Sequence, residues 1–126
     1  MAKTVAIVGA SASRRKFGNK AVRAYREAGW TVYPVNPHAT EIEGLKAYRT
    51  LADIPDRIDR VSVYLPPELS AGLLDEIAAM QPQDVYFNPG AGTPALVREV
   101  RARGIMAHLA CSIVAIGQRP DRFGDE

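Results

Sequence analysis

The chain is short of reactive groups. It has one cysteine, Cys111, and two histidines, His38 and His108, in 126 residues. A lone cysteine excludes an internal disulfide and fits a reducing, cytoplasmic compartment. Two histidines, one cysteine and no clustered carboxylates give little to build a metal site, so neither a metal nor a catalytic residue is expected. An excess of one charge is also missing: 16 basic residues stand against 14 acidic ones, a net charge of +2. That balance excludes a general nucleic-acid coat, so any electropositive function must be local. No apolar run approaches the ~20 residues of a membrane span. There is no repeat and no low-complexity stretch. Met1-Ala2-Lys3 leads straight into an apolar strand pattern, so no signal peptide is expected. A chain of 126 residues is expected to fold as one domain with one core, over 1–126.

What is present is an alternation of short apolar runs with helix-periodic segments. Thr4 to Val8 reads as a strand apolar on both faces. Gly18 to Ala28 reads as a helix, with Ala21, Val22, Tyr25 and Ala28 at helical spacing and Gly29 as its stop. The second strand is expected at Trp30 to Tyr33, because proline weakens a central strand, with Pro34-Val35-Asn36-Pro37 as its exit. A turn falls at Glu43-Gly44, and one capped helical turn spans Thr50 to Pro55. Arg60 to Leu65 is the third strand, ended by Pro66-Pro67. From Pro67 to Met80 a helix is expected to carry Leu69, Leu73, Leu74, Ile77 and Met80 on one side. Asp84 to Phe87 is strand four, Pro94 to Arg103 a helix capped by Thr93, and Ile105 to Leu109 strand five. The tail is apolar at Ile113 to Ile116; residues 117–126 are polar and expected to be mobile. The order implies an α/β fold. It would be a single Rossmann-like, doubly wound parallel sheet of about five strands with helices on both faces.

In such sheets a ligand sits at the carboxyl ends of the strands. Every unusual loop here follows a strand: Gly9 to Gly18, Val35 to Pro37, Leu65 to Pro67, and Asn88 to Gly92. A dinucleotide fingerprint would place glycines at 9, 11 and 14; this chain has Gly9, Ser11 and Arg14. The loop is longer than the fingerprint allows, small at Ala10, Ser11, Ala12 and Ser13, and basic at Arg14, Arg15 and Lys16. Such a loop suits a phosphate, a solvated connection being the alternative. An NAD site would end strand two with an acidic residue; here Asn36 stands there, which leaves NADP or another nucleotide with an extra ribose phosphate open. Tyr64-Leu65-Pro66-Pro67 makes either an apolar shelf for a ring or a plain helix start. His38 reads as a loop residue and His108 as a core histidine. Asp53, Asp56 and Asp59 read as caps and solvated charge, and Arg98, Arg101 and Arg103 as an exposed helix face. Cys111 falls on the carboxyl edge of the sheet, either packed or as an exposed thiol.

The segments Val-Gly-Ala-Ser at 8–11, Lys-Phe-Gly-Asn-Lys at 16–20, Val-Tyr-Pro-Val-Asn-Pro at 32–37 and Leu-Ala-Asp-Ile-Pro at 51–55 resemble the small bacterial CoA-binding proteins. These are relatives of the CoA-binding domain of the succinyl-CoA synthetase α subunit. The resemblance runs from Thr4 to about Ile116. It implies CoA or acyl-CoA as ligand, its phosphates held by Gly9, Ala10, Ser11, Arg14, Arg15 and Lys16, beside Gly18 and Asn19. It also implies contacts at Val35, Asn36 and Pro37 and at Leu65, Pro66 and Pro67. The chain departs from the family at Asn88-Pro89-Gly90-Ala91-Gly92, where a bulky polar stretch is expected. The synthetase also uses a second domain with a phosphorylated histidine and a nucleotide-binding subunit, which these residues do not supply. A nucleotide-ligand binding module without chemistry of its own is therefore implied. The alternatives are a small NADP-dependent reductase and a regulatory subunit serving an acyl-transfer enzyme in trans.

Overall fold

Strands apolar on both faces must be covered on both, and that requirement organises this chain. The computed structural model describes residues 2–126; Met1, part of the lead into the first strand, lies outside the described residues. The strands are β1 (Thr4–Val8), β2 (Thr31–Val35), the short antiparallel pair β3 (Glu41–Ile42) and β4 (Leu45–Lys46), β5 (Arg60–Val63), β6 (Asp84–Phe87) and β7 (Met106–Leu109). Five of them form one parallel sheet in the order β2-β1-β5-β6-β7. Helices are α1 (Phe17–Glu27), α2 (Pro67–Ser70), α3 (Leu74–Met80), α4 (Pro94–Ala102) and α5 (Ser112–Ala115). The expected Rossmann-like α/β architecture is present, and the order of strands reverses between β1 and β5.

Side-chain alternation divides the core in two. Val5 and Ile7 pack with Ala21, Val22, Tyr25 and Ile113 under α1 and α5. Ala6, Val8, Val61, Val63, Val85 and Phe87 pack with Leu74, Ile77, Leu96 and Val100 under α3 and α4. Thr93 caps α4 as expected, its hydroxyl accepting from the Leu96 N–H at 3.2 Å.

Some local expectations need correcting. Pro34 does not end β2 but lies inside it, in register with Ile7. The position is tolerated because β2 is an edge strand, where a missing N–H costs no ladder bond. Pro34 still accepts through its carbonyl, from the Tyr48 N–H at 2.9 Å. The helix expected from Pro67 to Met80 is broken: a 3-10 turn at Ala71–Leu73 separates α2 from α3. Gly72 lies in the break, and Leu69, expected to face the core, is 59% exposed. Arg101 is not a free surface cation. Its guanidinium donates twice to the Ala107 carbonyl, at 3.1 and 2.8 Å, on the open edge of β7.

Residues 117–126, whose composition predicts a mobile end, lie along α1 with the Phe123 side chain buried. Asp59 is likewise more than solvated charge. Its carboxylate accepts from the Thr4 N–H at 2.9 Å, clasping the start of β1 to β5.

Gly92 is tightly held after β6: a Cβ there would stand 2.5 Å from Phe87 Cβ. Gly92→Ala is expected to cost about 1–3 kcal/mol by overpacking. Urea denaturation should show a lower midpoint with an unchanged slope.

Candidate functional site

The carboxyl ends of β1, β2, β5 and β6 open into one crevice of about 900 Å³. It lies at the β1/β5 reversal, where open α/β sheets place ligands. Its floor is the first loop. Gly9 turns the chain with φ +86°, and a Cβ on it would meet the Tyr64 backbone at 3.2 Å and Leu65 Cδ2 at 3.3 Å. Gly18 is tighter still: a Cβ there would stand 2.3 Å from the Gly9 carbonyl oxygen. The two glycines let the first turn of α1 press against the β1 exit. That turn holds no acidic residue, and Lys16 at its cap makes no side-chain capping bond. Lys16, Phe17 and Gly18 line the crevice, so the positive end of the helix dipole lies at its wall, with no acidic residue of the helix itself in that turn.

The structure gathers most of the expected residues and leaves some aside. Gly9, Ala10, Ser11, Lys16, Gly18, Val35, Asn36, Pro37 and Leu65 line the crevice. Arg14 turns away, its Nε 3.3 Å from Glu43 Oε2. Arg15 is exposed and is not on the wall, nor are Pro66 and Pro67. Asn19 is fully buried behind the loop: its amide donates to the Ser11 carbonyl at 2.9 Å and to Glu43 at 3.0 Å. Asn36 is on the wall, yet both ends of its amide are engaged, with the Ala10 carbonyl at 2.8 Å and the His38 N–H at 2.7 Å. It therefore couples the first loop to the β2 exit.

Other wall residues escaped the sequence reading. His38 and Arg49 add cationic or polar groups near the β2 exit, and Leu69, Leu73 and Glu76 come from the broken helix. Gly72 was the available signal for that break; Arg49 carried none, because a bridge between Val35 and Tyr48 brings it in from a distance. Cys111 is half-buried on the same wall, on the carboxyl edge where its position predicts it.

Behind Cys111 lies a buried polar knot. The Asn88 amide donates to Ser62 Oγ and to the Val63 carbonyl, both at 2.9 Å, and accepts from the Ser112 N–H at 2.8 Å. Ser62 and Ser112 hydroxyls pair at 2.6 Å, and Tyr25 donates to the Ser112 carbonyl at 2.8 Å. Burial pushes the Tyr64 phenol well above its ordinary range, so at the wall it is a neutral hydroxyl. Among the described residues no group of three His, Cys, Asp or Glu side chains comes together to hold a metal. No helix among them is long and apolar enough to cross a membrane.

A parallel sheet with a glycine-floored cleft at its switch point places the chain among the Rossmann-like α/β proteins. The pattern of the CoA binding domain family matches residues 3–117, and the chain belongs to that family. It is 34% identical over 74 residues to an ADP-forming acetate–CoA ligase of Methanocaldococcus jannaschii, covering 59% of this chain and 10% of the ligase. The chain thus spans about a tenth of that relative's length. A solved protein of Thermus thermophilus superposes with a TM-score of 0.83 at 31% identity, over 90% of this chain and 87% of that one. The dinucleotide-forming acetyl-coenzyme A synthetase 1 of Ca. Korarchaeum cryptofilum gives 0.74 at 28% identity, over 83% of this chain and 25% of that one.

Asn88→Ala should leave the Ser112 N–H unsatisfied in the interior and take from Ser62 Oγ one of its two partners. The expected cost is about 3 kcal/mol, read as a fall in the denaturation midpoint. A loss under about 0.5 kcal/mol would mean that the knot does not hold the crevice wall.

Proposed function

We propose that the crevice binds CoA or an acyl-CoA and that the chain performs no catalysis of its own. The observation that carries this reading is the α1 N-terminus, free of internal acids and set against Gly9 and Gly18 at the head of a 900 Å³ cleft. A pyrophosphate fits that floor, held by backbone N–H groups, Ser11 and Lys16. Gly18 keeps the helix close, and Asn19 holds the loop from behind. The wall at Val35, Pro37 and Leu65 offers an apolar seat for the rest of the nucleotide, with Pro66 and Pro67 stiffening the β5 exit. Cys111 and Asn88 line the same cleft from the β5 and β6 side, where a pantetheine arm would meet them.

The β2 exit supplies Asn36 rather than a carboxylate, which favours a phosphorylated ribose over the free hydroxyls of NAD. The family membership and the similarity to acetate–CoA ligases support the same ligand. Because those ligases hold the matching stretch within much longer chains, a partner enzyme acting in trans on the bound thioester is a second reading. A reducing, cytoplasmic setting suits the single half-buried thiol.

CoA should raise the melting temperature and NAD should not. A ligand at ~100 times its Kd adds roughly 2.7 kcal/mol, well within reach of a thermal-shift measurement. Equal or greater stabilisation by NADP would replace this reading with the reductase.

The cations of the first loop offer a second test. Lys16→Ala is expected to weaken CoA about tenfold in calorimetric titration, equivalent to roughly 1.4 kcal/mol. Replacing Arg15 alone should change CoA affinity less than Lys16→Ala does, because Lys16 lines the crevice and Arg15 does not. A larger loss from Arg15 would mean that Lys16 is not the cation that holds the phosphates.

A further inference from the structure

The first loop is held from behind by two side chains of α1, and one of them is shared with the end of the chain. Asn19 donates to the Ser11 carbonyl at 2.9 Å. Arg23 donates through Nε to Asn19 Oδ1 at 2.8 Å and through Nη2 to the Arg14 carbonyl at 3.0 Å. The same Nη2 also donates to the Gly124 carbonyl at 2.8 Å. One guanidinium therefore joins residues 122–126 to the loop whose front side lines the crevice.

The segment 122–126 is seated at several independent points. Arg122 pairs with Glu27 through both carboxylate oxygens. The buried Phe123 ring lies 5.8 Å from the Arg23 guanidinium. Lys20 Nζ is 2.9 Å from Asp125 Oδ1, and Arg14 Nη1 donates to the Glu126 carbonyl. This segment lies beyond residues 3–117, the span that the family pattern covers.

We propose that residues 122–126 form a strap that holds the first loop in its binding shape, so that strap docking and ligand binding at the crevice reinforce each other. The proposal rests on the reading of the crevice as a CoA site. Arg23 and Asn19 act as positioning residues: neither is on the crevice wall, and both fix loop carbonyls from behind. Ser11 and Lys16 then present their front side with less ordering left to do on binding. Coupling of this kind is reciprocal: if the strap tightens the ligand, the ligand must tighten the strap by the same factor.

The test uses the full chain with CoA as probe. Two variants release the strap differently: Phe123→Ala removes its buried anchor, and Arg122→Gln with Asp125→Asn removes its ion pairs to Glu27 and Lys20. Calorimetry should show CoA bound about 5–20-fold more weakly by both. Hydrogen exchange at residues 118–126 should slow when CoA is added to the unmutated protein, although CoA need not touch them. Exchange that shows the strap released, together with an unchanged or tighter CoA Kd, overturns the strap. Absence of CoA binding to the unmutated protein overturns the crevice reading, and the strap with it.

Discussion

The contact on which the site depends is the approach of Gly18 to the Gly9 carbonyl. No side chain fits between them, so the first turn of α1 lies directly against the turn that leaves β1. That contact sets where the helix dipole ends and how far the wall of Tyr64 and Leu65 stands from the loop. It also explains why the loop dispenses with the later glycines of a dinucleotide fingerprint. Close approach is achieved once, between two glycines, and the rest of the loop is shaped by side chains of α1. Asn19 and Arg23 do by hydrogen bonds to carbonyls what glycines do elsewhere by conformational freedom.

Much of this was readable from residue order. The five strands, the α1 start after a small-residue loop, the Thr93 cap and the four loops at one sheet edge all follow from local patterns whose physics is local. Where the reading failed, the deciding term was tertiary. Pro34 is acceptable only because β2 lies at an edge, which strand order decides and local sequence does not. The break at Gly72 turns Leu69 from core to crevice wall, a rotation that helical periodicity hides. Arg14 and Lys16 are two residues apart and chemically alike, yet one faces Glu43 and the other the crevice. Charge in a sequence says that a partner is needed and not which one.

The two halves of the crevice are built by different means. On the β1 and β2 side, backbone approach and the end of a helix dominate. On the β5 and β6 side, a closed set of buried hydrogen bonds among Asn88, Ser62 and Ser112 fixes where the chain leaves the sheet and re-enters α5. A fully satisfied knot of this kind is stiff, because each bond broken inside leaves a group that water cannot reach. The departure from the expected bulky stretch after β6 thus brings small residues into a frame that is already rigid. Ala91 is buried and Gly92 sits against Phe87, so steric fit takes over there.

Arg101 has a consequence for the molecule among its neighbours. A parallel sheet ends in a row of unmet hydrogen-bonding groups, and on β7 that row carries no charged side chain of its own. The guanidinium reaching over from α4 occupies the Ala107 carbonyl with two donors. A foreign strand pairing at Ala107 would have to displace a cation that holds this carbonyl with two hydrogen bonds. One residue that contributes nothing to the crevice thus blunts this stretch of the sheet edge.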